Sequence, residues 1–378
     1  MLSEPRFRSP DDVPRLLARL RELSARTGPV RLMEICGTHT MAIARSGLKS
    51  LLPPEIRLLS GPGCPVCVTP TGAIDAVLAL TEDPRIVIAS YGDLLRVPGS
   101  KRGDSLLYRK ALGASVEMVY SPMDALKLAR TRPEKEVVFL GVGFETTAPG
   151  TAACLLEARA EGLSNFSVLC LLKRTKPALQ ALIESPDFAV DALLCPGHVA
   201  AVTGAAAFDF LPSRYGLPAV IGGFEPADLF YSVLTLCEML AQKKPACLNE
   251  YLRVVRDCGN PAAMAAIDRV FFPSDSLWRG LSLVKQGGYA IRPAFAKWDA
   301  ASKFGLTDFA DIEPAGCRCA QVIRGVASPP ECPLFGGRCT PSDPVGPCMV
   351  SSEGACAAAY RYRPSEASAN PEKKQEEI

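Results

Sequence analysis

Six cysteines, Cys317, Cys319, Cys332, Cys339, Cys348 and Cys356, fall within 40 residues near the C-terminus of this chain. Thiolates are soft donors, and four of them can ligate a [4Fe–4S] cluster or a zinc ion. The segment reads GCRCAQVIRGVASPPECPLFGGRCTPSDPVGPCMVSSEGACAAAY. It is rich in Pro and Gly and poor in apolar periodicity, so it wraps a centre more readily than it builds a core, and it needs a staple. An iron–sulfur cluster is the expectation. A zinc knuckle is the alternative, although zinc favours paired C-x2-C knuckles and the segment has none. A metal-free segment is the remaining reading.

A second set of cysteines lies far upstream. Cys36 stands in MEICGTHT, after an apolar run and before a helical stretch, so it sits at the carboxyl end of a strand. Open α/β sheets place their ligands there. Glu34 shares that strand face, and Thr38 and His39 belong to the same loop. A cysteine with a histidine in reach suits a nucleophile or a soft metal ligand, and a core cysteine beside a capping threonine is the plainer alternative. Cys64 and Cys67 form a C-P-V-C between a strand-like run and a helix-like one. A helix N-terminus favours the thiolate, so a reversible disulfide is expected. Half of a zinc site is the alternative, without a second C-x2-C to complete it.

Three further loops have the same strand-end character. One carries Glu145, Thr146 and Thr147, another His198, and a third Asp93 and Arg96. The chain has only two histidines, and both occupy strand ends. If two sheets present their carboxyl ends to one crevice, these groups converge in it. No glycine pattern completes a P-loop or a dinucleotide fingerprint. Cys154, Cys170, Cys237 and Cys247 sit in apolar or helical contexts and read as small buried hydrophobes. Cys195 stays ambiguous beside Pro196-Gly197-His198, and Cys258 opens a turn.

The elements that position these residues follow from periodicity. Leu17, Leu20 and Leu23, with Pro14, mark an amphipathic helix within residues 1–28. From there to about residue 225, apolar runs (VRLMEIC, EIRLLSG, RIVIAS, EVVFLGVG, SVLCLL, DALLC, AVIGG) alternate with helical stretches, which predicts parallel sheets covered by helices. The expected fold class is α/β: two similar parallel-sheet domains, 29–130 and 131–225, around a cleft. A mainly helical, Cys-rich iron–sulfur domain follows at 226–362, with 226–300 read largely as helix. Residues 363–378 read as a disordered polar tail.

Composition sets the outer bounds. The 378 residues are 48% hydrophobic and 22% charged, with a net charge of +2, which gives no broad footprint for nucleic acid or acidic membranes. No apolar run reaches the roughly 18 residues of a membrane span. The charged N-terminus does not read as a signal peptide, so the expected compartment is the cytoplasm. Fifteen cysteines in such a chain point to metal or redox work.

Taken in order, MEICGTHT, GPGCPVC, GFETTAP, CPGHV and the terminal run ending CTPxxPxGPCMVSSEGACAA resemble the HypD family of hydrogenase maturation proteins, from about residue 30 to 362. The resemblance implies two similar α/β domains and a third that holds a [4Fe–4S] cluster. It implies a monomer that forms hetero-complexes with a small HypC-like chaperone and then a HypE-like cyanide donor, to assemble the Fe(CN)2CO unit of [NiFe]-hydrogenase. By position, Cys36 would bind the iron together with the partner's N-terminal cysteine, and Cys64 and Cys67 would link the cluster's electrons to it. The family spacing C-x14-C-x6-C-x16-C is met by Cys317, Cys332, Cys339 and Cys356. Cys319 leaves the first ligand open, and Ala320 stands where the pattern has glycine. The rival expectations are a stand-alone iron–sulfur oxidoreductase acting on a small molecule and a zinc-stabilised interaction module.

Overall fold

The computed structural model describes residues 13–306 and 309–363. Its strands are β1 (Val30–Glu34), β2 (Ile56–Ser60), β3 (Ile86–Ser90), β4 (Val116–Met118), β5 (Glu136–Gly143) and β6 (Phe166–Leu172), then β7 (Ala192–Pro196), β8 (Ala219–Gly222), β9 (Cys247–Asn249), β10 (Phe271–Trp278) and β11 (Ser282–Ile291). Two sheets are wholly parallel. One has five strands in the order β2-β1-β7-β8-β9, and the other has four in the order β4-β3-β5-β6. The fold is α/β, as expected. The seven apolar runs read as strands are β1, β2, β3, β5, β6, β7 and β8.

The expected boundary near residue 130 is corrected by the pairing. β3 hydrogen-bonds to β5 across that point, with Ile86 opposite Glu136, and β1 pairs with β7, with Leu32 opposite Ala192. The four-stranded unit is therefore inserted between the two halves of the five-stranded one. An apolar run identifies a buried strand but carries no address for its partner, and two consecutive βα units read alike whichever sheet they join.

Alternation within the strands explains the layering. Ile86 and Ile88 of β3 and Val138, Leu140 and Val142 of β5 face a core shared with Met33, Leu193 and Ile221 of the larger sheet. Their neighbours Val87, Ala89, Val137 and Phe139 face the opposite side, under the helix Ala148–Ala160. The outer face of the larger sheet is covered by the helices Val13–Thr27 and Pro226–Gln242. The first of these buries Leu16, Leu20 and Leu23, while Pro14 is exposed.

Residues 226–300 depart from the largely helical reading. Pro226–Gln242 and Pro261–Val270 are helices, but LNEYLRVVRDCG is not. Its first residues complete β9, and Asn249 then folds the chain back, accepting from the Tyr251 amide (3.0 Å) and donating to Val255 O (3.0 Å). Asparagine competes with helix in this way. Residues 271–291 form the antiparallel hairpin β10–β11. The Cys-rich segment is built of short helices, Cys319–Ile323, Pro347–Val350 and Ala355–Arg361, and the last packs against the helix Gly37–Arg45. Residues 1–12 of the expected N-terminal segment, and the expected tail beyond Arg363, lie outside the described residues. Among the described residues no helix is long and apolar enough to cross a membrane.

Candidate functional site

The carboxyl ends of both sheets meet at a cavity of about 260 Å³. Ile35, Cys36 and Thr38 line it after β1, Gly63 and Pro65 after β2, Phe144, Thr146 and Thr147 after β5, Thr175 after β6, and His198 after β7. Trp278 closes one side and Glu353, from the Cys-rich segment, another. Cys36 is the N-cap of the helix Gly37–Arg45 and is 7% exposed. Burial pushes its thiol up to about 12, against backbone N–H groups of that helix start that favour the thiolate. The thiol is therefore neutral near pH 7.

The other expected residues divide into cleft and frame. Thr38, Thr146, Thr147 and His198 face the cavity with Cys36. Glu34 does not line it. Its buried carboxylate accepts from the Cys36 amide (3.1 Å) and from Thr40 Oγ1 (2.5 Å), and burial raises it to about 7. It braces the loop that aims Cys36. His39 is also outside the cavity wall, fully buried, with Nε2 3.0 Å from Gly223 O. Both histidines stack on Phe224, at 4.6 Å for His39 and 4.0 Å for His198. Burial lowers His39 to about 4, so it is a neutral ring. Glu145 accepts from the Thr175 amide (2.8 Å) and hydroxyl (2.7 Å), tying the end of β5 to the helix Thr175–Ile183. Asp93 and Arg96 serve the Cys-rich segment. Asp93 Oδ2 accepts from Ser351 Oγ, Ser352 N and Ser352 Oγ at 2.9–3.1 Å, and Arg96 Nη2 donates to Val350 O at 3.0 Å.

Cys64 and Cys67 are joined as a buried disulfide, and the Cys67 amide donates to Cys64 Sγ at 3.1 Å. A small cavity beside them is lined by Thr40, Cys64, Cys67, Cys348 and Glu353. All six C-terminal cysteines surround another small cavity, whose other walls are Phe335, Gly346 and Met349. Among the described residues no amine or carboxylate lines it. A Cβ on Gly346 would lie 2.9 Å from Cys317 Sγ, so the space is kept open by the missing side chain. Among the described residues no three His, Cys, Asp or Glu side chains close to the spacing of a single chelated ion. The thiols are spread around a shared space, which suits a group held from several sides. Cys319 Sγ lies 2.8 Å from Cys348 Sγ. Cys319 also contacts Cys317, and Cys348 also contacts Cys356, so all six thiols face the space from which a cofactor could be held.

The family model HypD, described as "Hydrogenase formation hypA family", matches residues 11–363. The chain belongs to the HypD family. It is 44% identical to the hydrogenase maturation factor HypD of Escherichia coli (strain K12), over 96% of this chain and 98% of that protein. It is likewise 44% identical to the HypD of Rhizobium leguminosarum bv. viciae, over 90% and 91%, and to the hydrogenase expression/formation protein HupD of Azotobacter chroococcum mcd 1, over 94% and 95%.

In this HypD-family chain three site residues have roles that the motifs do not state. Glu353 accepts from Thr38 Oγ1 (2.7 Å) and lines both the Cys36 cavity and the Cys348 cavity. Burial raises its carboxyl above the usual range. Its only sequence signal is its place three residues before Cys356. Trp278 carries no signal at all; its indole donates to Gly287 O (2.8 Å) and its ring stacks on Phe144 at 5.8 Å. Cys348 was visible as a spare cysteine, but its pairing with Cys319 is tertiary.

Proposed function

We propose that the chain is a hydrogenase-maturation scaffold with redox capability, on which the Fe(CN)2CO unit of [NiFe]-hydrogenase is assembled as substrate. The observation that carries this is a single buried thiol, Cys36, facing a cavity at the meeting of two sheets, with a disulfide and a second sulfur pair stacked behind it. The buried thiol gives a soft, water-poor site for low-spin iron. The open mouth leaves a second coordination side to the N-terminal cysteine of a HypC-like chaperone, and a HypE-like protein would present cyanide there. Thr146, Thr147 and His198 supply polar contacts on the far wall.

Electron supply follows the sulfurs. A [4Fe–4S] cluster held by Cys317, Cys332, Cys339 and Cys356 would supply single electrons. The protein's own part is thiol–disulfide exchange. Cys348 passes its proton to the Cys319 thiolate 2.8 Å away and attacks the Cys64–Cys67 bond, that bond breaks to give a mixed disulfide, and Cys319 then displaces it as its proton passes on to the Cys64/Cys67 pair. Two electrons pass to the Cys64/Cys67 pair, the Cys319/Cys348 pair becomes the disulfide, and one proton moves the same way.

The test is anaerobic co-purification with the two partner types, followed by infrared spectroscopy. Cyanide and carbon monoxide bands are expected in the wild-type complex. Cys36→Ala should remove them while leaving the cluster absorbance intact. Bands that persist without Cys36, or loss of cluster absorbance along with them, would overturn this division of roles.

A further inference from the structure

Arg279 is 1% exposed and ends β10, beyond Trp278. Its contacts converge on the residues that follow the Cys64–Cys67 disulfide. The Arg279 amide donates to Val68 O at 2.9 Å, Nε and Nη2 each reach Thr69 O at 3.4 Å, and Nη2 donates to Thr71 Oγ1 at 2.5 Å. Among the described residues Asp311 is the only carboxylate within ion-pair distance of it, at 3.7 Å; Asp311 also accepts from the Thr71 amide at 3.4 Å, and the charge is felt more weakly by Glu313 and by Cys319. Among the described residues Nη1 is buried with no partner. On the other side, Gly280 lies against Ala320, the neighbour of Cys319, so closely that a Cβ would meet the Ala320 backbone at 3.2 Å.

A buried guanidinium with one long ion pair and an empty N–H is a charge left under-compensated. A disulfide is neutral, whereas the pair it yields on reduction can carry a thiolate. A fixed cation beside such a pair favours the reduced form. We propose that Arg279 is a positioning residue that holds the Cys64–Cys67 turn against the second sulfur pair and, through its charge, biases the Cys64/Cys67 couple toward the dithiol. In that couple the S–S bond takes up two electrons and one or two protons, supplied here by a dithiol that is itself oxidised to a disulfide. The proposal rests on the reading of Cys64 and Cys67 as a redox pair.

The experiment equilibrates the full-length chain anaerobically in graded mixtures of reduced and oxidised dithiothreitol, then alkylates free thiols and quantifies the Cys64/Cys67 peptide by mass spectrometry. Arg279→Gln should make the disulfide about tenfold harder to reduce, a shift of about −30 mV for a two-electron couple. Arg279→Lys should recover most of that shift. Asp311→Asn, which strips the counter-charge and keeps the arginine, should shift the couple in the opposite direction. Opposite signs separate a charge effect from structural damage, and Asp311→Asn carries the test alone if Arg279→Gln does not fold. A wild-type pair that never titrates removes the redox reading beneath the proposal. A wild type that titrates while Arg279→Gln stays within twofold, or Gln and Lys variants that shift equally, or an Asp311→Asn shift of the same sign as Arg279→Gln, overturns the proposal itself.

Discussion

Lys173 follows β6 and is 3% exposed, and its Nζ donates to Ser276 Oγ and Leu277 O, both at 2.7 Å. These bonds fasten the hairpin whose Trp278 walls the cleft. Among the described residues no carboxylate forms an ion pair with it, and burial lowers it from 10.5 to about 8. At about 1.4 kcal/mol per tenfold change in proton affinity, that fall corresponds to about 3 kcal/mol. Between pH 8 and 10.5 the unfolded chain holds this proton and the folded chain does not, so this group makes stability rise with pH across that window. Below pH 8 the folded protein bears the whole cost of the buried charge. Replacing Lys173 with Met keeps the volume and removes the titration. It also leaves two acceptors without their donor, a loss of about 1–3 kcal/mol that does not vary with pH. Urea unfolding of wild type and Lys173→Met between about pH 7 and about pH 10 is the assay. The stability difference should move toward the wild type by up to about 3 kcal/mol over that range. Buried cysteines titrate in both proteins and cancel, except Cys170, which interacts with the Lys173 charge and moves with the substitution. Parallel curves would refute the argument, because they would mean that Lys173 is folded with its charge fully solvated.

Cys317→Ser should abolish cluster absorbance while Cys319→Ser retains it, as read from iron content and visible spectra of anaerobically prepared protein; the reverse result would move the first ligand to Cys319. Asp93→Ala removes the acceptor shared by Ser351 and Ser352. It should loosen that turn by about 2 kcal/mol, seen as about thirtyfold faster hydrogen exchange at the Ser352 amide. Gly37→Ala places a Cβ 2.5 Å from Glu353 Cβ. It should cost about 1–3 kcal/mol in a thermal melt, with partial recovery when Glu353→Gly is added.

The sequence carried the strand ends and the cysteines well. Cys36, Thr38, Thr146, Thr147 and His198 do meet in one cavity, because a β–loop–α pattern makes the loop after each parallel strand predictable in place even when the sheet is not. What it could not carry was partnership. Leu32 meets Ala192 rather than a strand nearer in sequence, and Cys319 meets Cys348, because such choices are settled by packing between distant segments. β4 and β9 have three residues each, too few for a periodic signal. Arg279 and Lys173 lie in no motif, and lysine and arginine are seldom fully buried, so nothing in the sequence marks them as interior charges. Glu34, Glu145 and Asp93 were identified as site groups from their position, and each proves to hold the frame.

The interleaving of the sheets also sets an order of assembly during synthesis. β1 and β2 emerge first, but the strand that joins them to the rest of their sheet, β7, is made well over a hundred residues later. The inserted unit, β3 to β6, is contiguous and can fold on the ribosome while the first two strands wait. Long-range parallel pairing of this kind is slow, so the outer sheet closes late. Glu353 and the last cysteines come later still. The nascent chain therefore cannot present a finished Cys36 cavity until it is nearly complete, and a ligand offered before release would find only half a site.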